Sequence, residues 1–248
     1  RDTFDLDFQN RFPLGQRQAI IWGAEYRLTS DDVRNSFDLA LTPDDRTSHH
    51  LVSAFVQDEI NMVENRLALT LGSKFEHNDF TGFEVQPGAR LLWTPHDRHT
   101  VWASVSRAVR TPSRAESDVR INQPPILLAG ALFPPNRFFP AGSPTALTSI
   151  LGSEDFASEK LLAYELGYRM QPHERLSLDL AAFYNDYDDL RSGEPGTPFF
   201  RLSPFDPMVP PPHIALVLGN KLNGETSGGE IGATLQATDW WRWHASYS

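Results

Sequence analysis

The 248-residue sequence predicts an all-β fold: an antiparallel transmembrane β-barrel segment of about ten strands, with short periplasmic turns and long extracellular loops. Three observations carry that expectation. Apolar and polar residues alternate strictly over one stretch after another, which is the period of a strand with two unlike faces. Short connections alternate with long ones, as in outer-membrane barrels. The stretches often run to 10–12 residues, and at about 3.3 Å per residue and a tilt near 45° that crosses the apolar slab of a bilayer.

The alternating segments fall at 3–9, 18–28, 50–61, 66–77, 84–93, 99–110, 159–170, 175–189, 213–238 and 242–248. In the fourth, Leu67, Leu69, Leu71 and Phe75 oppose Thr70, Gly72, Lys74 and Glu76. In the sixth, Val101, Ala103 and Val105 are assigned to lipid and Ser104 and Ser106 to the lumen. The seventh sets Leu162, Tyr164, Leu166, Tyr168 and Met170 against Glu165, Gly167 and Arg169. The eighth sets Leu176, Leu178, Leu180, Ala182 and Tyr184 against Arg175, Ser177, Asp179 and Asn185. The ninth sets Ile231, Ala233, Leu235 and Ala237 against Glu230, Gly232, Thr234 and Gln236. No stretch between these segments has a helical period.

The connections 62–65, 94–98, 171–174 and 239–241 are tight turns such as VENR, TPHDR and QPHE. The connections 29–49, 111–158 and 190–212 are long, with 10–17 and 78–83 between the extremes. A β-sandwich also alternates and turns often, but gives no reason for every second connection to be long. Trp93 and Trp102 flank one short turn, and Trp240, Trp241 and Trp243 surround another, a placement suited to a membrane-interface girdle.

Net charge of −10 argues against a nucleic-acid partner, which needs a basic face. The absence of cysteine excludes disulfides and thiolate chemistry. No run of 18 apolar residues exists for a transmembrane helix, but the mean hydropathy of −0.39 is compatible with a barrel whose strands are apolar only at every second position. No serine–histidine–acid set, phosphate loop or paired-carboxylate arrangement stands out, so the sequence points to no enzyme and no cofactor. Arg1 and Ser248 both fall within alternating runs, as expected of a piece of a longer protein.

Four stretches taken in order, FVQDEINMVENRLALTLGSKFE, WASVSRAVRTPSRAE, LLAYELGYRMQPHERLSLDLAAFYNDYDDL and GGEIGATLQATDWWRWHASYS, resemble consecutive barrel strands of TonB-dependent outer-membrane receptors, the siderophore receptors among them. The resemblance implies a barrel of about 22 strands with a plugged lumen. It makes residues 1–248 a partial, central barrel domain, without the plug domain, the TonB box and the C-terminal strands. It also implies residence in the outer membrane of a Gram-negative bacterium, contact with lipid and lipopolysaccharide, and coupling to the TonB complex through the missing plug. The expected function is energised uptake of a scarce ligand, a ferric siderophore foremost, with cobalamin, haem or a glycan also open. A passive porin-like barrel and a soluble carbohydrate-binding β-sandwich are the alternatives.

Such receptors bind at the extracellular mouth. Arg107, Arg110, Arg114 and Arg120 lie where one strand passes into the longest loop, and guanidinium forks suit carboxylate, catecholate or phosphate groups. They also suit nearby acids such as Glu116 and Asp118. Phe133, Phe138 and Phe139 stand in a proline-rich stretch of that loop. Tyr187, Arg191 and Arg201 belong to the outer end of another strand and the loop after it. His49 and His50 are adjacent and in a strand would point to opposite faces, so no metal site is assigned to them.

Overall fold

In the computed structural model the described residues are 1–42, 47–123, 147–200 and 212–248. They form β1 (Asp2–Leu14), β2 (Gln18–Asp31), β3 (Leu39–Leu41), β4 (Thr47–Val63), β5 (Leu67–Asn78), β6 (Gly82–His96) and β7 (His99–Arg110). There follow α1 (Arg114–Ser117), β8 (Val119–Asn122), β9 (Leu147–Leu151), β10 (Glu159–His173), β11 (Leu176–Pro195), β12 (Phe199–Phe200), β13 (Pro212–Thr238) and β14 (Trp241–Tyr247). All of these strands hydrogen-bond into one sheet, which overturns the two-sheet sandwich as an alternative.

The strands β1, β2, β4, β5, β6, β7, β10, β11, β13 and β14 make an antiparallel meander, each paired with the next. They match the alternating segments of the sequence one for one. Among the described residues no pairing joins β1 to β14, so the sheet does not close on itself over this span.

Two connections differ from the sequence expectation. β1 runs on to Leu14, because Phe12 opposite Ile20 and Leu14 opposite Gln18 continue the apolar face before Gly15, at φ 69°, makes the turn. The connection at 78–83 shrinks to three residues, 79–81. There the Asn78 side-chain oxygen accepts the backbone N–H groups of Phe80 and Thr81 at 3.0 and 2.9 Å, a local turn of the kind asparagine favours.

Because paired residues point to the same side, the register assembles two continuous faces. One apolar row runs Phe8, Ala24, Ala54, Phe75, Val85, and another Ile60, Leu69, Leu91, Ala103, Leu166, Ala182. The opposite face carries rows such as Glu59, Thr70, Arg90, Ser104, Glu165. The apolar face is uncovered: Leu6 is 60% exposed, Leu166 56% and Ile231 49%. At roughly 25 cal/mol per Å² such a surface is strongly unfavourable in water, and its extent marks a face that needs an apolar neighbour.

The buried apolar residues lie elsewhere. Ala40, Val119, Leu147, Phe156 and Ala215 all belong to β3, β8, β9, the outer end of β13 and the link into β10, which together form a cap beyond the wall. β9 pairs in parallel with His213–Val217 of β13, β8 pairs with β9, and β3 pairs with β8. Two long connections, 29–49 and 111–158, are thus joined to the outer end of β13 as an extension of the same sheet. The sequence showed only loops here, since strands of three to five residues are too short to display an alternation.

At the other edge a regular stitch repeats. The carbonyls of Arg17, Arg66, Arg98 and Arg175, each closing a short turn, accept the N–H of Asn61, Thr94, Gln171 and Gln236 at 2.7, 2.7, 2.9 and 2.8 Å. Side chains extend the pattern: Arg66 donates to the Pro95 carbonyl, Arg98 to the Pro172 carbonyl at 3.4 Å, and Arg175 to Asp239 at 3.1 Å. Each hairpin is held to the next by the arginine of its own turn.

Candidate ligand-binding mouth

Where β7 leaves the wall, Thr111, Pro112 and Ser113 lead into the single turn of α1. Glu116 of that turn reaches back to accept the Ser113 N–H at 2.9 Å and its hydroxyl at 3.2 Å, one half of a capping box. The same carboxylate accepts both terminal nitrogens of Arg110, at 2.7 and 3.1 Å, and lies 3.5 Å from Arg191. Arg110 also donates from Nε to Glu159 at 2.6 Å, and the other oxygen of Glu159 accepts the Arg191 N–H at 2.9 Å. Two arginines and two carboxylates thereby lock α1 onto β7, β10 and β11.

Arg114, which is buried, donates to Asp118 at 3.1 Å and to Asp31 of β2 at 2.5 Å. The first turn after β7 is therefore tied to the outer end of the second strand. Burial resists ionisation of Glu116, but the Arg110 fork and Ser113 outweigh it and hold the carboxyl below its usual range. At Asp118 burial wins against the hydrogen bond from Arg114, and the carboxyl is pushed up.

The remaining arginines of the sequence-predicted set are placed differently. Arg107 shares the face of Val105 and Leu162, fills the gap where β6 and β7 part, donates to the Val85 carbonyl and lies 3.7 Å from Glu84. Arg120 stands in β8 between Ala40 and Leu151, and its Nε is buried without a hydrogen-bond partner among the described residues. Tyr187 is on the polar face opposite Leu161 and Gly224. The Arg191 side chain is 59% exposed, more open than Arg107, Arg110 or Arg114. Phe133, Phe138, Phe139 and Arg201 lie outside the described residues.

Two features went unseen in the sequence. The cap has a polar centre: the Ser149 hydroxyl donates to the Asn122 side-chain oxygen at 2.8 Å and sits 2.6 Å from Nδ1 of His213, whose ring stacks on Phe199. Ser149 and His213 are both fully buried, so these strands are pinned by side chains as well as by backbone. A recess of about 470 Å³ also opens between α1 and the wall, lined by His49, Asn78, Phe80, Asp31, Pro112 and Arg114. His49 stacks on Phe80 with centroids 4.7 Å apart, and its Nε2 is buried with no hydrogen-bond partner among the described residues. His50, on the other face, meets the Tyr26 hydroxyl at 3.0 Å.

The sequence pattern of the TonB dependent receptor-like, beta-barrel family matches residues 1–248, the full chain. The chain belongs to that family. A comparison with curated proteins gave no match. Among solved structures, the receptor barrel is similar to the siderophore receptor PirA from Pseudomonas aeruginosa, with a TM-score of 0.75 and 17% identity over 98% of this chain and 41% of that one. It is similar also to a variant of the ferric enterobactin receptor PfeA from the same species, at TM-score 0.74 and 19% identity over 98% and 34%. PirA from Acinetobacter baumannii gives 0.72 and 17% over 96% and 34%. The chain thus spans about a third to two fifths of these receptors, and the likeness carries the fold.

Within the receptor barrel the tryptophans divide. Trp93, opposite Leu67 and Val101, and Trp243, opposite Leu235, stand on the apolar face beside short turns. Trp241 packs on Trp243 with centroids 5.1 Å apart, and Trp240 stacks on Trp241. Trp102 differs from the girdle expectation. It is on the polar face with Ser104, lies against Gly167 and carries Arg90 at 5.1 Å from its ring.

Proposed function

We propose that this chain is the central part of the barrel of an outer-membrane TonB-dependent importer from a Gram-negative bacterium, which captures an anionic iron chelate, a ferric siderophore, at its outer mouth. The match of the receptor-barrel family along the full 248 residues carries this proposal. The siderophore receptors among the structural neighbours support the ligand class. Lipid and lipopolysaccharide surround the apolar face, and the TonB complex supplies the energy for release through a plug that precedes this span in the full protein.

The guanidinium of Arg191 and the recess beside His49 and Phe80 are the surfaces from which a ligand is held, because Arg191 shares in the brace only at 3.5 Å from Glu116 and is the more exposed side chain, while Arg107, Arg110 and Arg114 are more closely engaged in bracing the wall and the cap. The test is uptake of radiolabelled ferric enterobactin, and of a ferric hydroxamate, by cells lacking their own receptors and carrying the full-length gene. Uptake that disappears on deleting tonB supports the proposal. Uptake that persists without TonB, or diffusion of unrelated small solutes, supports a passive pore instead.

A further inference from the structure

On the polar face of the wall most of the cations are matched to carboxylates. Arg11 is 2.6 Å from Glu59, Arg27 2.9 Å from Asp5, Lys74 3.0 Å from Glu76 and Arg110 2.6 Å from Glu159, and Arg169 bonds Asp179. Arg242, on β14, bonds the Gln236 side-chain oxygen at 3.0 Å. Arg90 departs from this pattern. Among the described residues no carboxylate comes within ion-pairing distance of it, although it stands mid-strand between Thr70 and Ser104. The nearby carboxylates are taken: Glu59 accepts from Arg11 and Gln57, and Glu165 from the Ser104 hydroxyl at 2.9 Å.

The guanidinium is nonetheless held in place. Its carbon lies 5.1 Å from the centre of the Trp102 ring, a cation–π arrangement. Trp102 in turn lies flat on Gly167, where a Cβ would meet indole atoms at 2.2 Å. Glycine, indole and guanidinium form a stack across β10, β7 and β6 that fixes the charge and leaves five N–H donors without a carboxylate. Arg90 borders an open recess of about 580 Å³ whose lining includes Gln57, Thr70, Gln86 and Ser104, with Glu59 and Lys74 among its nearby charges. Arg90 pairs with Ser104, six residues before Arg110, so the stack lies about 20 Å down the strand from the mouth brace.

We propose that Arg90, held by Trp102 on Gly167, is an oxyanion-binding station on the inner wall, separate from the mouth and suited to a carboxylate or a group of like geometry. The oxyanion comes from an acidic side chain of another segment of the full-length protein or from an anionic cargo in passage. The proposal rests on the barrel assignment. Its test is the crystal structure of the full-length receptor, wild type, R90Q and R90K, soaked in selenate and recorded at the selenium edge.

The expected result in the wild type is a carboxylate of the protein, or a selenate peak, about 3 Å from two guanidinium nitrogens. The carboxylate identifies the internal source and the peak the cargo source. The contact should be lost in R90Q and weakened in R90K, which keeps the charge without the fork. A wild-type Arg90 facing only water or neutral groups would overturn the proposal, and a peak that survives R90Q is an adventitious ion only and overturns it equally. An unclosed sheet in that crystal would sink the barrel assignment instead.

Discussion

Arg110 grips Glu116 with both terminal nitrogens while its Nε holds Glu159, so one side chain at the end of a wall strand fixes both the turn that follows it and the neighbouring strand. Removing Glu116 would leave Arg110 without its bidentate partner and Ser113 without its cap. Glu116→Ala should destabilise this corner by about 1–3 kcal/mol, the scale for losing hydrogen bonds to a charged group, since the half-exposed Arg110 keeps Glu159. Hydrogen exchange of the full-length receptor should show faster exchange over 111–122 and unchanged protection in β5 and β6.

The two carboxyls of α1 and its C-cap should be shifted in opposite directions. Free aspartate ionises at about 3.9 and glutamate at about 4.3. Glu116 is held down, so its contribution to stability is present above the unfolded value and lost as pH falls through the folded one. Asp118 is pushed up, so its ionised form costs stability in the fold, a cost relieved as pH falls through its folded value. Carboxyl carbon NMR of the labelled receptor should give Glu116 a midpoint below, and Asp118 a midpoint above, that of the same residue in the unfolded chain. A shift in the opposite direction at either residue would contradict the partners assigned to it.

Gly167 has no room for a side chain under Trp102. Gly167→Val should expel the indole from the wall, at a cost of about 1–3 kcal/mol from overpacking. A change in tryptophan emission should accompany a lower urea midpoint, and the double variant Gly167→Val with Trp102→Ala should recover much of the loss. Emission and midpoint unchanged by the single variant would show that Trp102 does not lie on Gly167.

The cap can be tested through its weakest link. Leu39 and Ile121 are direct partners across β3 and β8, and the sequence contains no cysteine. Leu39→Cys with Ile121→Cys should form a disulfide under mild oxidation, because paired strand positions fall within bridging distance. Leu39→Cys with a cysteine at Phe83, which pairs with His77 of β5, should not. Equal cross-linking of the two pairs would mean that the first outer connection is not joined to the third.

The ten wall strands were legible because each is long enough for its alternation to repeat several times. The cap was not. β3, β8 and β9 offer three to five residues each, and the parallel pairing of β9 with β13 joins positions some 66 residues apart that no local pattern links, such as Leu147 and His213. Trp102 was misplaced for a different reason. The alternation that put Ser104 and Ser106 in the lumen put Trp102 there too, but proximity to a turn argued for the girdle. The arginines were found by type, and what separates the bracing Arg110 from the more open Arg191 is how each meets the same two carboxylates: Arg110 grips Glu116 and Glu159 with its whole guanidinium, while Arg191 meets Glu159 through its backbone N–H and Glu116 only at 3.5 Å.

The most direct test of a membrane-spanning wall is site-directed spin labelling of β7 in the full-length receptor, reconstituted in lipid and read by collision with oxygen and with a water-soluble nickel chelate. Labels at Val101, Ala103 and Val105 should collide with oxygen and be shielded from nickel, while labels at Ser104 and Ser106 show the reverse preference. Equal accessibility at odd and even positions, or nickel access at Ala103, would contradict a barrel wall with lipid on its apolar face.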